Sequence, residues 1–263
     1  MNIVLSIAGS DNTGGAGIQA DIKTCCAFKT YATTVITGVT SQNSKGVYGV
    51  EPVSPAMLNS QIDSIYEVMI PDAVKTGMLP SPEIIEAVAK KLIHYKVRNV
   101  VVDPVMVATN GGNLVKPGED TFNAFREYLI PLATVITPNI TEASQFTGEE
   151  IGAMTPLKAC RLILEKTSAR TVLLKGGHAD SDEFSIDYLY DGSNLKEYKS
   201  ARIDTINTHG TGCTLSSAIA CGLARGYTLD KAIMSAKAFI HNAIESAKDL
   251  HIMNGPGPLD FFV

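Results

Sequence analysis

No apolar run in this 263-residue chain approaches the roughly 20 residues that a membrane-crossing helix needs, so no transmembrane segment is expected. The opening stretch, Met1-Asn2-Ile3-Val4-Leu5-Ser6-Ile7-Ala8-Gly9, lacks the basic lead and long apolar core of a secretion signal, and a cytoplasmic location is the expectation. Five cysteines, odd in number and irregularly spaced, offer neither a disulfide framework nor a zinc pattern and read as reduced thiols. His94, His178, His241 and His251 show no metal-ligand spacing either. Basic charge is short: 22 Lys and Arg against 27 Asp and Glu give a net charge of −5, which argues against a nucleic-acid partner. No internal repeat, low-complexity tract or block of like charge interrupts the chain. The composition, 45% hydrophobic and 19% charged, is that of an ordinary globular protein, and a single domain over residues 1–263 is expected.

What is present is a repeated alternation of short apolar runs with longer segments of helical period, the mark of βαβ units and a mostly parallel sheet. The runs are 3–8, 73–75, 99–102, 134–136 and 171–174. Ser54-Pro55, Ser81-Pro82 and Thr155-Pro156 supply helix starts between them, while Gly226 ends one helix before a long final one over 229–247. Residues 184–190 and 195–199, joined through Asp191-Gly192, read as a β-hairpin at one edge.

Each apolar run is followed by a polar or glycine-bearing end: Gly9-Ser10-Asp11, Thr76-Gly77-Met78, Asp103-Pro104-Val105, Thr137-Pro138-Asn139 and Lys175-Gly176-Gly177-His178. In an open parallel sheet such ends emerge together at the carboxyl edge, where ligands bind. The most specific segment is Asn207-Thr208-His209-Gly210-Thr211-Gly212-Cys213, running into an amphipathic stretch to Arg225. Glycines three and one residue before a reactive side chain at a helix start describe a backbone cradle for an anion such as phosphate. Cys213 at that terminus is expected to have a favoured thiolate, although a small buried hydrophobe is an equal reading of the same residue. Cys25, Cys26, Cys160 and Cys221 are assigned to core filling.

Other segments keep two readings. The glycine-rich turn 9–21 has neither the Rossmann nor the P-loop spacing, and taken alone it is equally a tight strand-to-helix turn. Asn139 and Glu142 form a plain helix-capping pair or, beside a phosphate cradle, a holder for hydrated Mg²⁺. Asp103, a carboxylate after a run of valines, is either a strand-end cap or, joining them, a candidate metal ligand. Lys175 is either a solvated turn residue or a mobile point charge on a nucleotide phosphate. His209 has no carboxylate partner visible in the sequence, so a His-Cys hydrolase pair is not favoured.

Taken together, Ala8-Gly9-Ser10-Asp11, the segment 14–21, Lys75-Thr76-Gly77-Met78-Leu79, Asp103-Pro104-Val105-Met106, Thr137-Pro138-Asn139 with Glu142, Lys175-Gly176-Gly177-His178 and Thr208 to Cys213 resemble, in order, the hydroxymethylpyrimidine and phosphomethylpyrimidine kinases of thiamine biosynthesis. That resemblance covers nearly the whole chain. It implies an α/β ribokinase-like three-layer sandwich, with helices on both faces of a mostly parallel sheet and a hairpin at one edge. It also implies a homodimer using ATP and Mg²⁺ to phosphorylate 4-amino-5-hydroxymethyl-2-methylpyrimidine and then its monophosphate. By the same resemblance, Gly210, Thr211, Gly212 and Cys213 form the anion hole together with the phosphate-contacting Lys175. Asn139 and Glu142 organise the metal, with Asp103 a further candidate ligand beside them. Thr208, Gly210, Gly212, Asn139 and Lys175 meet the nucleotide, and Gln42, Gly9, Ala16, Asp21, Met78 and Val105 meet the pyrimidine. A glutamine amide can pair with a ring nitrogen and an exocyclic amine at once.

The chain departs from the family pattern at Ala108-Thr109-Asn110-Gly111, which lacks a lysine common there, and at Thr13, where Ser is more usual. Three other functions compete. Pyridoxal kinases share the scaffold, but the B6-directed relatives tend to carry Met at the position of Gln42. A non-catalytic pyrimidine-binding regulator predicts degraded catalytic positions, and a nicotinamide oxidoreductase predicts the missing Rossmann spacing.

Overall fold

The computed structural model describes residues 1–106, 118–176 and 183–263, so the loop 108–111 and the pair Gly177-His178 lie outside the described residues. The strands are β1 (Ile3–Asp11), β2 (Tyr31–Asn43), β3 (Gly46–Pro52), β4 (Ala73–Thr76), β5 (Val100–Val102), β6 (Val135–Ile136), β7 (Val172–Lys175), β8 (Phe184–Tyr190) and β9 (Leu195–Ala201). The helices are α1 (Gly17–Ala27), α2 (Pro55–Val68), α3 (Pro82–His94), α4 (Glu119–Ala124), α5 (Ile140–Thr147), α6 (Pro156–Thr167), α7 (Thr211–Ala224) and α8 (Leu229–Ala247).

Among the described residues one sheet runs in the order β3-β2-β1-β4-β5-β6-β7-β8-β9. The six strands from β2 to β7 are parallel. Alternation along the strands sorts the core into two layers. Val100, Val102, Ile136 and Val172 pack with Leu58 of α2, Ile84 of α3, Phe146 of α5 and Ile163 of α6. Val101, Val135 and Leu173 turn the other way, onto Cys25 of α1, Ile219 of α7 and Ile233 of α8. Strands covered on both faces must be apolar throughout, which is why 100–102 reads Val-Val-Val.

The helix starts form as their sequences require. Ser54 accepts from the Met57 N–H and Ser81 from the Ile84 N–H, each with proline in the first turn. Thr155 makes no side-chain cap bond, so α6 relies on its proline and its buried face.

Antiparallel hairpins close the sheet at both edges, where the sequence pointed to one. The second, β2 with β3, is rich in threonine and polar residues beyond Val35, so no apolar run marks it. β2 pairs in parallel with β1 from Tyr31 to Thr40, and its end from Ser41 to Asn43 is held by β3 alone. All five cysteines are free, and Cys26 is exposed instead of filling the core as expected, because it sits on the outward side of α1.

Candidate functional site

The carboxyl ends of β1, β4, β5, β6 and β7 open into a cavity of about 520 Å³, in the range of small-molecule sites. Gly9, Ala16, Gln42, Met78 and Val105 line one end of it, and Thr208 to Cys213 line the middle with Asp103, Asn139, Glu142 and Lys175. Ile203, just beyond β9, and Ile240 and His241 of α8 also line it, which sequence patterning did not reveal because these segments carry no motif. Asp21 is not in the lining.

The cradle is the start of α7. Gly210 takes φ 87, a left-handed conformation that only glycine adopts freely, and a Cβ there would collide with the Gly15 carbonyl. That contact clamps the cradle against the glycine-rich turn. The first turn has no side-chain cap; the Thr211 N–H donates to the Thr208 carbonyl at 3.3 Å, while helix geometry leaves the Gly212 and Cys213 N–H groups without carbonyl partners and available to an anion. Lys175 stands over this turn: a Cβ on Gly212 would come 3.5 Å from its Nζ and 3.9 Å from Asp103 Oδ2.

Cys213 lies at the cradle as expected, but its ionisation runs the other way. Burial pushes its thiol up to about 11; the Lys75 ammonium and a Gly17 N–H oppose this, while the Asp21 and Asp103 carboxylates add to it. The helix terminus does not overcome desolvation, and Cys213 is a neutral thiol at neutral pH.

Asp103 was expected on a metal, yet its oxygens are engaged by protein. Oδ1 accepts from Lys175 Nζ at 2.8 Å and from Thr137 Oγ1 at 3.0 Å, and Oδ2 accepts from Ser216 Oγ at 3.0 Å. A carboxylate this deeply buried must be paired. The same contact ties Lys175 down, so it is not a mobile point charge. Asn139 and Glu142 form the reciprocal capping box of α5, Asn139 Oδ1 accepting from the Glu142 N–H and Glu142 Oε2 from the Asn139 N–H, both at 2.8 Å.

Glu142 Oε2 also lies 3.8 Å from Lys175 Nζ. Two buried carboxylates therefore share one ammonium. Burial drives the Glu142 carboxyl up to about 7, with Lys175 opposing and Asp103 adding to the rise. That excess of negative charge fits a hydrated divalent cation, because Mg²⁺ keeps its waters and needs few protein oxygens. A direct cage does not exist: among the described residues no three His, Cys, Asp or Glu side chains converge.

Asp21 lies below the cavity floor in a closed ion pair. Lys75 Nζ contacts both of its oxygens at 2.9 Å, Ser6 Oγ donates to Oδ2 at 2.5 Å and Ser217 Oγ to Oδ1 at 2.6 Å. It has no oxygen left for a substrate. Sequence reasoning also missed the partner of His209: Asp11 Oδ2 stands 2.9 Å from Nε2, 198 residues away in the chain. Asp11 further accepts from the Thr13 and Ala16 N–H groups. Burial alone would raise the Asp11 carboxyl, but the bonds from His209, Thr13 and Gln42 hold it far below the usual carboxylate range. The Gly-Ser-Asp pattern at 9–11 was the available signal.

The family model for phosphomethylpyrimidine kinase matches residues 11–260. The hydroxymethylpyrimidine/phosphomethylpyrimidine kinase of Rhizobium meliloti (strain 1021) is 46% identical over 261 residues, covering 99% of this chain and 97% of that protein. The chain spans about half the length of the bifunctional thiamine-biosynthesis relatives that it also matches. Among solved structures, an ADP complex of Bacillus subtilis pyridoxal kinase superposes with a TM-score of 0.86 at 39% identity, covering 98% of this chain and 97% of that one. Phosphomethylpyrimidine kinase from Clostridium difficile 630 gives 0.78 at 41% identity, covering 93% and 100%. The chain belongs to the phosphomethylpyrimidine kinase family.

Proposed function

We propose that this protein transfers the γ-phosphoryl group of ATP to the hydroxymethyl oxygen of 4-amino-5-hydroxymethyl-2-methylpyrimidine, and then to the phosphate of the product. The observation that carries this reading is Gln42 Oε1, a buried amide oxygen at the cavity with no hydrogen-bond partner among the described residues. The Gln42 side chain helps to hold the Asp11 carboxyl low, which favours its amide N–H on that side and leaves the oxygen to the ligand. An unpaired buried acceptor is costly, and the exocyclic amine of an aminopyrimidine supplies the missing donor.

In the transfer, the alcohol oxygen forms a bond to the γ-phosphorus as the bond to the β-bridging oxygen breaks, the hydroxyl proton passes late to an oxygen of the transferred phosphoryl group and on to water, and ADP leaves. The transition state is loose and asks chiefly for positioning and charge neutralisation. The N–H groups of the α7 terminus meet the equatorial oxygens, and Lys175, held by Asp103, meets charge on the nucleotide side. Cys213, as a neutral thiol, orients the hydroxyl instead of deprotonating it in advance. When bound with the nucleotide, Mg²⁺ supplies further neutralisation at the phosphates, and Asn139 and Glu142 would hold it through water. The apolar lining at Ile203 and Ile240 suits the adenine ring.

A cytoplasmic homodimer belongs to the same reading. Strand β3 is a sheet edge, and Val39 and Tyr48 are exposed on that hairpin. Sedimentation at twice the chain mass supports the dimer, and sedimentation at the chain mass contradicts it.

Pyridoxal phosphorylation is the second reading, favoured by the Bacillus subtilis neighbour. The test is a coupled ADP-release assay, first with the pyrimidine alcohol and then with its monophosphate. Turnover of both supports the assignment. Tight binding without ADP release would instead make the protein a regulator.

A further inference from the structure

Asn207 opens the cradle segment but does not line the cavity, and neither capping nor catalysis accounts for its position. Its side chain is buried and fully bonded, all of it to the C-terminal part of the chain. Nδ2 donates to the Ala247 carbonyl at 2.7 Å and to the Leu250 carbonyl at 2.9 Å, while Oδ1 accepts from the Gly257 N–H at 2.9 Å. A Cβ on Gly257 would collide with that oxygen. Two residues along, the His209 N–H donates to the Gly257 carbonyl at 3.0 Å.

From this clamp the tail continues under the cradle. Leu259 and Phe261 are buried with Ala20 and Ala243, and Cys213 packs against that cluster. The Asp260 N–H fastens the tail to the Ala243 carbonyl of α8 at 3.1 Å. Before the clamp, the Asn254 carbonyl accepts from Ser44 Oγ, two residues past Gln42. One segment thus touches the hairpin that carries the proposed pyrimidine ligand and the helix terminus that cradles the phosphoryl group.

We propose that Asn207 is a positioning residue for phosphoryl transfer, and that residues 254–261 form a strap through which it fixes the cradle from His209 to Cys213. The proposal rests on the kinase reading above. A cradle open on its outer side would drift relative to Lys175 and Gly15, and a displacement of about 1 Å is enough to cost on the order of 100-fold in rate.

The test uses Asn207→Ala in the full chain, with two readouts: steady-state kinetics on the pyrimidine alcohol, and the rate of iodoacetamide alkylation mapped to Cys213 by mass spectrometry. The strap predicts kcat reduced by about fivefold or more, a KM for the pyrimidine that stays within about threefold, and faster Cys213 alkylation as Leu259 and Phe261 loosen. A kcat within about fivefold of wild type, whatever happens to thermal stability, makes Asn207 a structural residue and overturns the proposal. If Asn207→Ala does not fold, Gly257→Ala crowds the same bond and is judged by the same thresholds. If the wild type turns over no pyrimidine, the kinase reading fails while alkylation still decides the strap: an unchanged rate at Cys213 overturns it.

Discussion

Lys75 of β4 and Lys175 of β7 lie near the carboxyl ends of two parallel strands of one sheet, separated by β5 and β6, and each pairs with a buried aspartate. Around Lys75 the bonding is closed: Asp21 accepts from the ammonium and two serines, and nothing of the pair reaches the cavity. Around Lys175 it is open: Asp103 and Glu142 both lean on one ammonium, which lines the cavity 3.5 Å from where a Gly212 side chain would begin. Burial opposes both lysines carrying charge, and their carboxylates reverse it, so both stay protonated. The difference lies in the sum of charge and in access. A neutral sealed pair holds the floor in place, whereas a pair with surplus carboxylate and an ammonium that lines the cavity can engage a phosphate and its counter-ion.

Breaking the sealed pair should have the largest effect on folding. Lys75→Met leaves Asp21 charged and buried, which costs about 3–5 kcal/mol in chemical denaturation. Adding Asp21→Asn should recover part of that loss, and a double variant no more stable than Lys75→Met would contradict the closed-pair account. Breaking the open pair should act on turnover instead. Lys175→Met is expected to lower kcat by about 100- to 1,000-fold with a smaller loss of stability than Lys75→Met, because Lys175 and Asp103 line the cavity, where water can replace the ammonium, whereas Lys75 and Asp21 are sealed. Equal stability losses in the two variants would erase the distinction.

Cys213 sharpens the comparison because it feels both pairs, its thiol raised to about 11 by burial and the two aspartates against the pull of Lys75. Its alkylation rate in the unliganded protein should climb about tenfold per pH unit from pH 7 to pH 10 without levelling, since the reactive thiolate remains a minor species throughout. A plateau at or below about pH 8.5, the ordinary thiol value, would restore the activated thiolate.

Asp11 gives the smallest expected effect. Its depressed carboxyl contributes stability above the unfolded value near 3.9 that is lost as the pH falls below it. Asp11→Asn should therefore flatten the stability loss as the pH falls from about 4 to about 2, by about 1–3 kcal/mol. An unchanged acid limb would remove Asp11 from the network.

These contacts also explain what the sequence could and could not disclose. Strand ends, proline-marked helix starts and the cradle are local, written within about a dozen residues, and the observed elements follow them closely. β2 and β3 were illegible because their stability comes from pairing, not from an apolar run. The Asp11–His209 and Asp21–Lys75 contacts were illegible because they join residues 198 and 54 positions apart, on different strands and helices. Cys213 was placed correctly and charged wrongly, since a helix terminus is visible in a sequence and the desolvation that outweighs it is not.

The account as a whole turns on Gln42 and its unpartnered oxygen. The most direct measurement is kcat/KM for the pyrimidine alcohol and for pyridoxal, side by side, in wild type and Gln42→Met. The account predicts that wild type prefers the pyrimidine and that Gln42→Met lowers its kcat/KM by about 10- to 100-fold, the cost of one to two lost hydrogen bonds, with pyridoxal little affected. A wild type that prefers pyridoxal, or a Gln42→Met variant that keeps full activity on the pyrimidine, would contradict it.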